Sequence, residues 1–365
     1  MLSQSPLVEK FKYFKIGDQI DSQNEDIEYI QQLCENDNIE EVKKLIEKNP
    51  EIFRKTNFRE NNVYHWSCSV EMMNIFENIN IDCKQRNKDG QTALFTASNV
   101  ECAKWLLERL PNDSLYDYDN QDRLPTFFVN GSVARFLYKY NPVRFDISHV
   151  ADETNYNILF YADADRIKFI RDEHQELYQQ LPKVDNFGNS ILFYVPDIDA
   201  LEELLKDDSI DINFIVDKNM KNAGKNALFF VNCPDVLESL IEKGIKIDQK
   251  DSYGSLCYFY MRNVKVLQKF IDIVKRNIEH NKKNDNHKPV VSFNERNRNG
   301  VHASVFLLKL SVEHLRAMKG TDFDPNASVF ENSDITPLSY VNHKYKTHPE
   351  KQKMIKTLID LNGYF

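Results

Sequence analysis

DNFGNSILF, residues 185–193, is the stretch whose reading decides the fold. Asp at the start of a corner can bond its own backbone, and the Gly tolerates positive φ. The Leu-Phe pair then turns inward. Outward from residue 185 the pattern recurs as NKDGQTALF (87–95), DNQDRLPTF (119–127), DETNYNILF (152–160), KNAGKNALF (221–229) and DSYGSLCYF (251–259). Weaker copies are NFRENNVYH (57–65), NRNGVHASV (297–305) and ENSDITPLS (331–339). Successive starts are 30, 32, 33, 33, 36, 30, 46 and 34 residues apart. A fixed period of this length is the mark of a repeat architecture.

Each copy leads into an apolar helical pattern that closes on a Leu-Leu-like pair. These are WLLER at Trp105, RFLYK at Arg135, KFIRD at Lys168, ELLKD at Glu203, SLIEK at Ser239, KFIDI at Lys269 and TLIDL at Thr357. A Thr or Asn after the corner can cap a helix, and Pro suits its first turn. The second helix carries the apolar stripe, as in Val236, Leu237, Leu240 and Ile241, and Gly244 stands where a helix ends. One unit cannot bury its own apolar face, whereas stacked units can. The expectation is an all-α solenoid of nine to ten helix-pair repeats with short finger turns.

The pattern resembles the ankyrin repeat over residues 27–365. Thr92 to Leu94 and Thr336 to Leu338 match that family's helix opening, and LIEKGIKIDQKDSYG (240–254) matches its helix end and finger. Two departures stand out. Leu94 to Leu106 spans twelve positions, about three fewer than the family has. That is close to one helical turn, so the first helix or its connection should be clipped. The family's His after the opening Leu is replaced by Phe95, Phe127, Phe160, Phe193, Phe229 and Phe259. An aromatic ladder down the stack is expected in its place.

Along the chain, residues 1–26 read as an N-terminal tail and 27–56 as a capping helix pair with Leu33, Val42, Leu45 and Ile46 inward. Ankyrin-like repeats fill 57–274. A polar insertion is expected over 275–296, with degenerate repeats and a C-terminal cap over 297–365. Twenty-four Phe and 17 Tyr in 365 residues exclude a disordered chain, and 10 Gly are few for a glycine-rich phosphate-binding enzyme. The net charge of −9 argues against direct nucleic-acid binding. Residues 275–356 carry +6 and the remainder −15, a distribution that could steer a basic partner onto the acidic body. No secretion signal and no membrane span is read. Six scattered cysteines without a Cys-x-x-Cys pair read as free thiols of a reducing cytoplasm.

No phosphate loop, nucleophile elbow or zinc-helix motif occurs. His343 and His348, or His280 and His287, lack metal-ligand spacing, and TDFDPNAS (321–328) reads as a turn and not as a calcium loop. His65 with Cys68 lacks an orienting third group. The expectation is therefore not an enzyme, with no cofactor and no metal, monomeric when unbound.

The ankyrin resemblance implies that the two residues between the finger's Asp and Gly, and the one after the Gly, face a partner. Exposed aromatic and Arg side chains on a rigid scaffold are what interface hot spots favour. Arg123, Tyr156, Phe187 and Tyr253 are the expected anchors, with Gln121, Asn186 and Asn189 beside them. The expected function is a non-catalytic protein-binding scaffold that holds or blocks one partner. A toxin-neutralising immunity or inhibitor protein facing a basic toxin or nuclease is the favoured form. A secreted or viral effector acting as an adaptor on host proteins is the alternative.

Overall fold

The computed structural model describes residues 22–111, 117–140, 148–150, 155–284 and 287–362. The expected tail falls almost wholly outside them. The chain divides into two compact units. Unit 1 holds residues up to 186 together with 202–206, and unit 2 holds 187–201 and 207–365. Both are helical. Among the described residues no strand forms, and extended pairing is limited to isolated bridges such as Lys250 with Leu256.

In unit 1, α1 (Ser22–Glu35) and α2 (Ile39–Lys48) form a hairpin, followed by the short α3 (Val63–Trp66) and α4 (Val70–Asn78). Then come α5 (Val100–Leu107), α6 (Gly131–Tyr140), α7 (Ala164–Glu173) and α8 (Gln175–Gln180). Helix α9 (Ile198–Leu204) runs across the division between the units. Unit 2 continues with α10 (Pro234–Glu242), α11 (Val264–Asn281), α12 (Ala303–Leu310), α13 (Val312–Ala317), α14 (Pro337–Lys344) and α15 (Lys351–Asp360).

The corners fold as their residue types dictate. In loop 119–123 the Asp119 carboxylate accepts the N–H groups of Gln121 (2.9 Å) and Arg123 (3.0 Å), and the Asp119 N–H donates to the Arg123 carbonyl (3.0 Å). Asn57, Asn87, Asp251 and Asn297 make the same pair of side-chain bonds. The fourth residue of the corner takes positive φ whatever its type: Glu60 62°, Gly90 78°, Asp122 54°, Asn155 57°, Gly188 75° and Gly254 73°.

Neighbouring corners are tied by backbone bonds. In unit 1, Lys88 N–H donates to the Arg59 carbonyl (2.9 Å) and Asn120 N–H to that of Asp89 (2.8 Å). In unit 2, Ser252, Arg298 and Glu331 donate in the same way to Ala223 (2.8 Å), Tyr253 (2.7 Å) and Gly300 (2.8 Å). The repeat is therefore a three-dimensional period within each unit.

One corner is longer than the sequence alignment had it. Val216 N–H donates to the Lys225 carbonyl (3.1 Å) and Gly224 N–H to the Val216 carbonyl (2.9 Å). The structural counterpart of the corner Asp is thus Val216, not Lys221, and residues 217–221 are inserted after it.

The first helical segment of the middle repeats is short. Between corner and second helix lies a single 3-10 turn: Ala93–Thr96, Pro125–Phe127, Ile191–Tyr194, Ala227–Phe229 and Cys257–Phe259. The Phe at each of these turns is buried. The aromatic ladder is staggered, though. Phe95 meets Phe128 (centroids 5.8 Å apart), not Phe127. Phe193 stacks on Phe230 at 4.4 Å, while Phe229 meets Tyr260 at 5.8 Å and Phe259 meets Phe306 at 4.9 Å, both tilted. Each of these four Phe meets the aromatic that follows the equivalent position one repeat later.

Second helices begin on caps that also reach the repeat before. Asn99 accepts from Cys102 N–H (2.8 Å) and donates to the Cys68 carbonyl (2.7 Å). Asn130 accepts from Val133 N–H (3.0 Å) and donates to Ser98 (2.8 Å), and Asn263 donates to Asn232 (3.0 Å). A cap satisfies an orphan helical donor, and here the same amide joins two repeats. Gly131 is required by close approach, since a Cβ would lie 2.4 Å from Arg166 N. Arg166 itself is fully buried, donating to the carbonyls of Phe127 and Val129.

The polar insertion expected over 275–296 begins as helix. α11 continues to Asn281, burying Ile273, Val274 and Asn277. Asn277 and Asn281 donate to the carbonyls of Pro289 and Lys288 (both 2.8 Å), binding the returning chain to the helix. Polar residues that bond backbone hide this helix from a reading based on apolar spacing.

Candidate functional surface

The exposed features that repeat are the loop tips. In unit 2, Phe187 is 44% exposed, Met220 41% and Tyr253 59%. Their loops are fastened to one another. Asn222 donates to Asn189 Oδ1 (2.8 Å), Ser252 N–H reaches Ala223, and a Cβ on Gly188 would lie 2.9 Å from Met220 Cγ. A Cβ on Gly224 would lie 2.9 Å from Ser252 N. Apolar side chains on tips held this firmly bind without a large ordering cost. Unit 1 has its own exposed tip aromatic, Phe58, at 69%. It is not among the anchors expected from the sequence.

The expected anchors divide. Phe187 and Tyr253 are exposed tips in unit 2, and Gln121 and Asn186 are exposed in unit 1. Asn189 is not a surface contact. It is buried, donating to Tyr194 Oη (3.0 Å) and accepting from Asn222. Arg123 is ion-paired to the buried Asp119 carboxylate (2.7 Å) and lies over the Phe128 ring at 4.7 Å. Tyr156 is half-buried against Phe160 (5.1 Å) and Tyr161 (5.9 Å). Glu153 and Thr154 lie outside the described residues.

These corrections share one cause. The residue after the corner's fourth position turns inward over the aromatic that follows the buried Phe. Gln91, Asn189 and Ser255 are buried there, and Gln91 donates to Asp119 (2.9 Å).

That following aromatic is the residue set the sequence reading missed. Phe128 and Tyr161 in unit 1, and Tyr194, Phe230, Tyr260 and Phe306 in unit 2, are half-buried, one per repeat. Tyr161 sits at φ 59°, a region that bulky residues rarely adopt. Tyr260 donates to Asp251 Oδ2 (2.7 Å), and burial, chiefly, pushes its hydroxyl up to about 12. The signal was present as Phe-Phe or Phe-Tyr pairs at 127, 160, 193, 229 and 259. Only the second member of each pair is partly open to a ligand.

Against known proteins, no family model matches the chain, and neither does any curated protein.

Lys225 lies on this aromatic floor, 4.9 Å from the Tyr260 ring centre and 5.6 Å from that of Phe230. Burial holds its amine below the ordinary lysine range, with nearby Asp251 opposing that and Lys221 adding to it. Its side-chain hydrogen bond goes to Asn222 Oδ1 (3.3 Å). The exposed charges on the adjoining tips are Lys218, Lys221 and Arg298 against Asp217. This local balance is positive, whereas the chain as a whole carries −9.

His65 and Cys68 do not form a nucleophile pair. His65 Nε2 faces the Gln91 carbonyl (3.1 Å) and Nδ1 the Asn62 side chain (2.8 Å), while the Cys68 thiol donates to the Cys34 carbonyl (3.3 Å). Burial pushes His65 down to about 4. All six cysteines are unpaired. No described helix is long and apolar enough to cross a membrane. Asp322, in the 321–328 turn, accepts from Ser292 Oγ (2.6 Å) and Phe293 N–H (2.9 Å).

Proposed function

We propose that the chain is a non-catalytic, protein-binding scaffold of ankyrin type, with first helices cut to one turn, that holds or blocks a single protein partner. The observation that carries this reading is the fastened row of corners in unit 2, with Phe187, Met220 and Tyr253 exposed at successive tips. The cross-linked caps and corners give it rigidity. The free thiols are consistent with work in a reducing compartment. An inhibitory role, in which the partner is simply occupied, needs nothing beyond this surface.

Affinity capture tests the proposal. The parent chain should retain a partner that the triple variant Phe187→Ala/Met220→Ala/Tyr253→Ala loses, at about 2 kcal/mol for each true hot spot. Thermal unfolding of the two should coincide, since all three side chains are exposed. Equal retention by both proteins removes the tip row as the binding surface.

A further inference from the structure

We infer that the corner 216–225 of unit 2 receives an acidic segment of the partner protein, with a partner carboxylate seated on Lys225 and its apolar neighbours on Met220 and Tyr253. This rests on the binding role proposed above and adds the chemistry of what is bound.

The inference follows from a comparison of two corners. In loop 119–123 the inward cation, Arg123, lies over an aromatic ring and is neutralised by its own corner residue, Asp119, at 2.7 Å. In loop 216–225 the inward cation is Lys225, and it lies over two rings, Phe230 and Tyr260. The corner residue there is Val216, which has no carboxylate to offer. No other carboxylate of the described residues makes an ion pair with Lys225. Asp251, the acid whose charge acts on it, is occupied by the N–H groups of Tyr253 and Ser255 and by the Tyr260 hydroxyl.

The inserted residues add cations instead of removing them. Lys218 and Lys221 are exposed beside Met220, and Arg298 is exposed on the corner bonded to Tyr253. Asp217 is the one exposed acid among them. A half-desolvated ammonium without a counter-ion gains most from a carboxylate delivered by a partner. The flanking aromatic and thioether surface suits an apolar side chain next to that carboxylate. A nucleic-acid strand fits less well, because the basic field is confined to this corner of a chain whose net charge is −9.

The test uses the full chain and a short fluorescein-labelled peptide of alternating Glu and Leu, read by anisotropy at low ionic strength. The parent should bind it more tightly than the Lys-for-Glu counterpart or a single-stranded oligothymidylate. Lys225→Gln should weaken binding about tenfold, as expected for one lost charge-assisted contact. Lys225→Arg should restore it, and Lys265→Gln, on an exposed helical site, should leave it unchanged. Failure of the parent to bind, equal binding by Lys225→Gln, or preference for the basic peptide or the oligothymidylate overturns the inference. If Lys225→Gln behaves as parent while the tip variant still loses the captured protein, only the acidic-segment assignment falls. If the acidic peptide binds through Lys225 and the tip variant retains the captured protein, the tip row falls together with the apolar seats on Met220 and Tyr253, and only the carboxylate seat on Lys225 stands.

Discussion

The repeats of residues 190–260 and those of residues 297–360 bury a first helix in different ways. The former have one 3-10 turn each, at Ile191–Tyr194, Ala227–Phe229 and Cys257–Phe259. The latter have two full turns, in α12 and α14. A 3-10 turn offers few inward positions, so each one carries a buried Phe that pairs with an aromatic of the next repeat. α12 places Val305 at the Phe position and adds Leu307 and Leu308 to the interior. Apolar area lost with a helical turn is recovered by larger side chains at the surviving positions.

The largest effect should come from removing that compensation. Phe229→Ala is expected to cost about 3–5 kcal/mol, against about 2 kcal/mol for Val305→Ala, by urea unfolding. Equal losses would mean the aromatic pairs are not the substitute for the missing turn.

The third residue type at the Phe position is His65 of the repeat that opens at Asn57. Its folded value, about 4, lies below the ordinary 6.5, so the folded state holds it neutral. The stability this represents is complete above pH 6.5 and is lost as pH falls toward 4. The loss is on the order of 3 kcal/mol. His302, also pushed down to about 4, adds a similar slope in unit 2. His65→Phe, which installs the residue of the middle repeats, should flatten the acid slope by one histidine. At neutral pH it should cost about 1 kcal/mol for the bond to Gln91. An unchanged slope in acid unfolding would sink the assignment.

Corners offer a smaller contrast. Gly224→Ala, at φ 79° and against the Asp251–Ser252 backbone, should destabilise by about 2 kcal/mol. Glu60→Gly, at φ 62°, should stabilise by up to about 1 kcal/mol. A thermal melt of each variant gives the sign directly. The smallest effect is at the tips. Phe187→Ser and Tyr253→Ser should shift stability by less than about 0.5 kcal/mol, and a larger change would mean these rings pack against the fold.

Period, corner chemistry and the buried Leu-Phe positions were legible in the sequence. They depend on local rules: an Asp or Asn accepting its own backbone N–H groups, a residue at positive φ, and an apolar pair that must leave water. The short first helical segment was legible for the same reason, in the twelve positions from Leu94 to Leu106. Only the tertiary structure decided which surface residues remain open. Asn189 and Arg123 are polar in sequence yet are consumed by Asn222 and Asp119 across and within corners. Lys225 looks like any finger residue until Val216 is found in the place of the corner acid. Whether a polar side chain is spent inside the fold or left for a partner depends on its own corner residue, as for Arg123 and Lys225, and on the loop packed beside it, as for Asn189, whose partner Asn222 belongs to the next repeat.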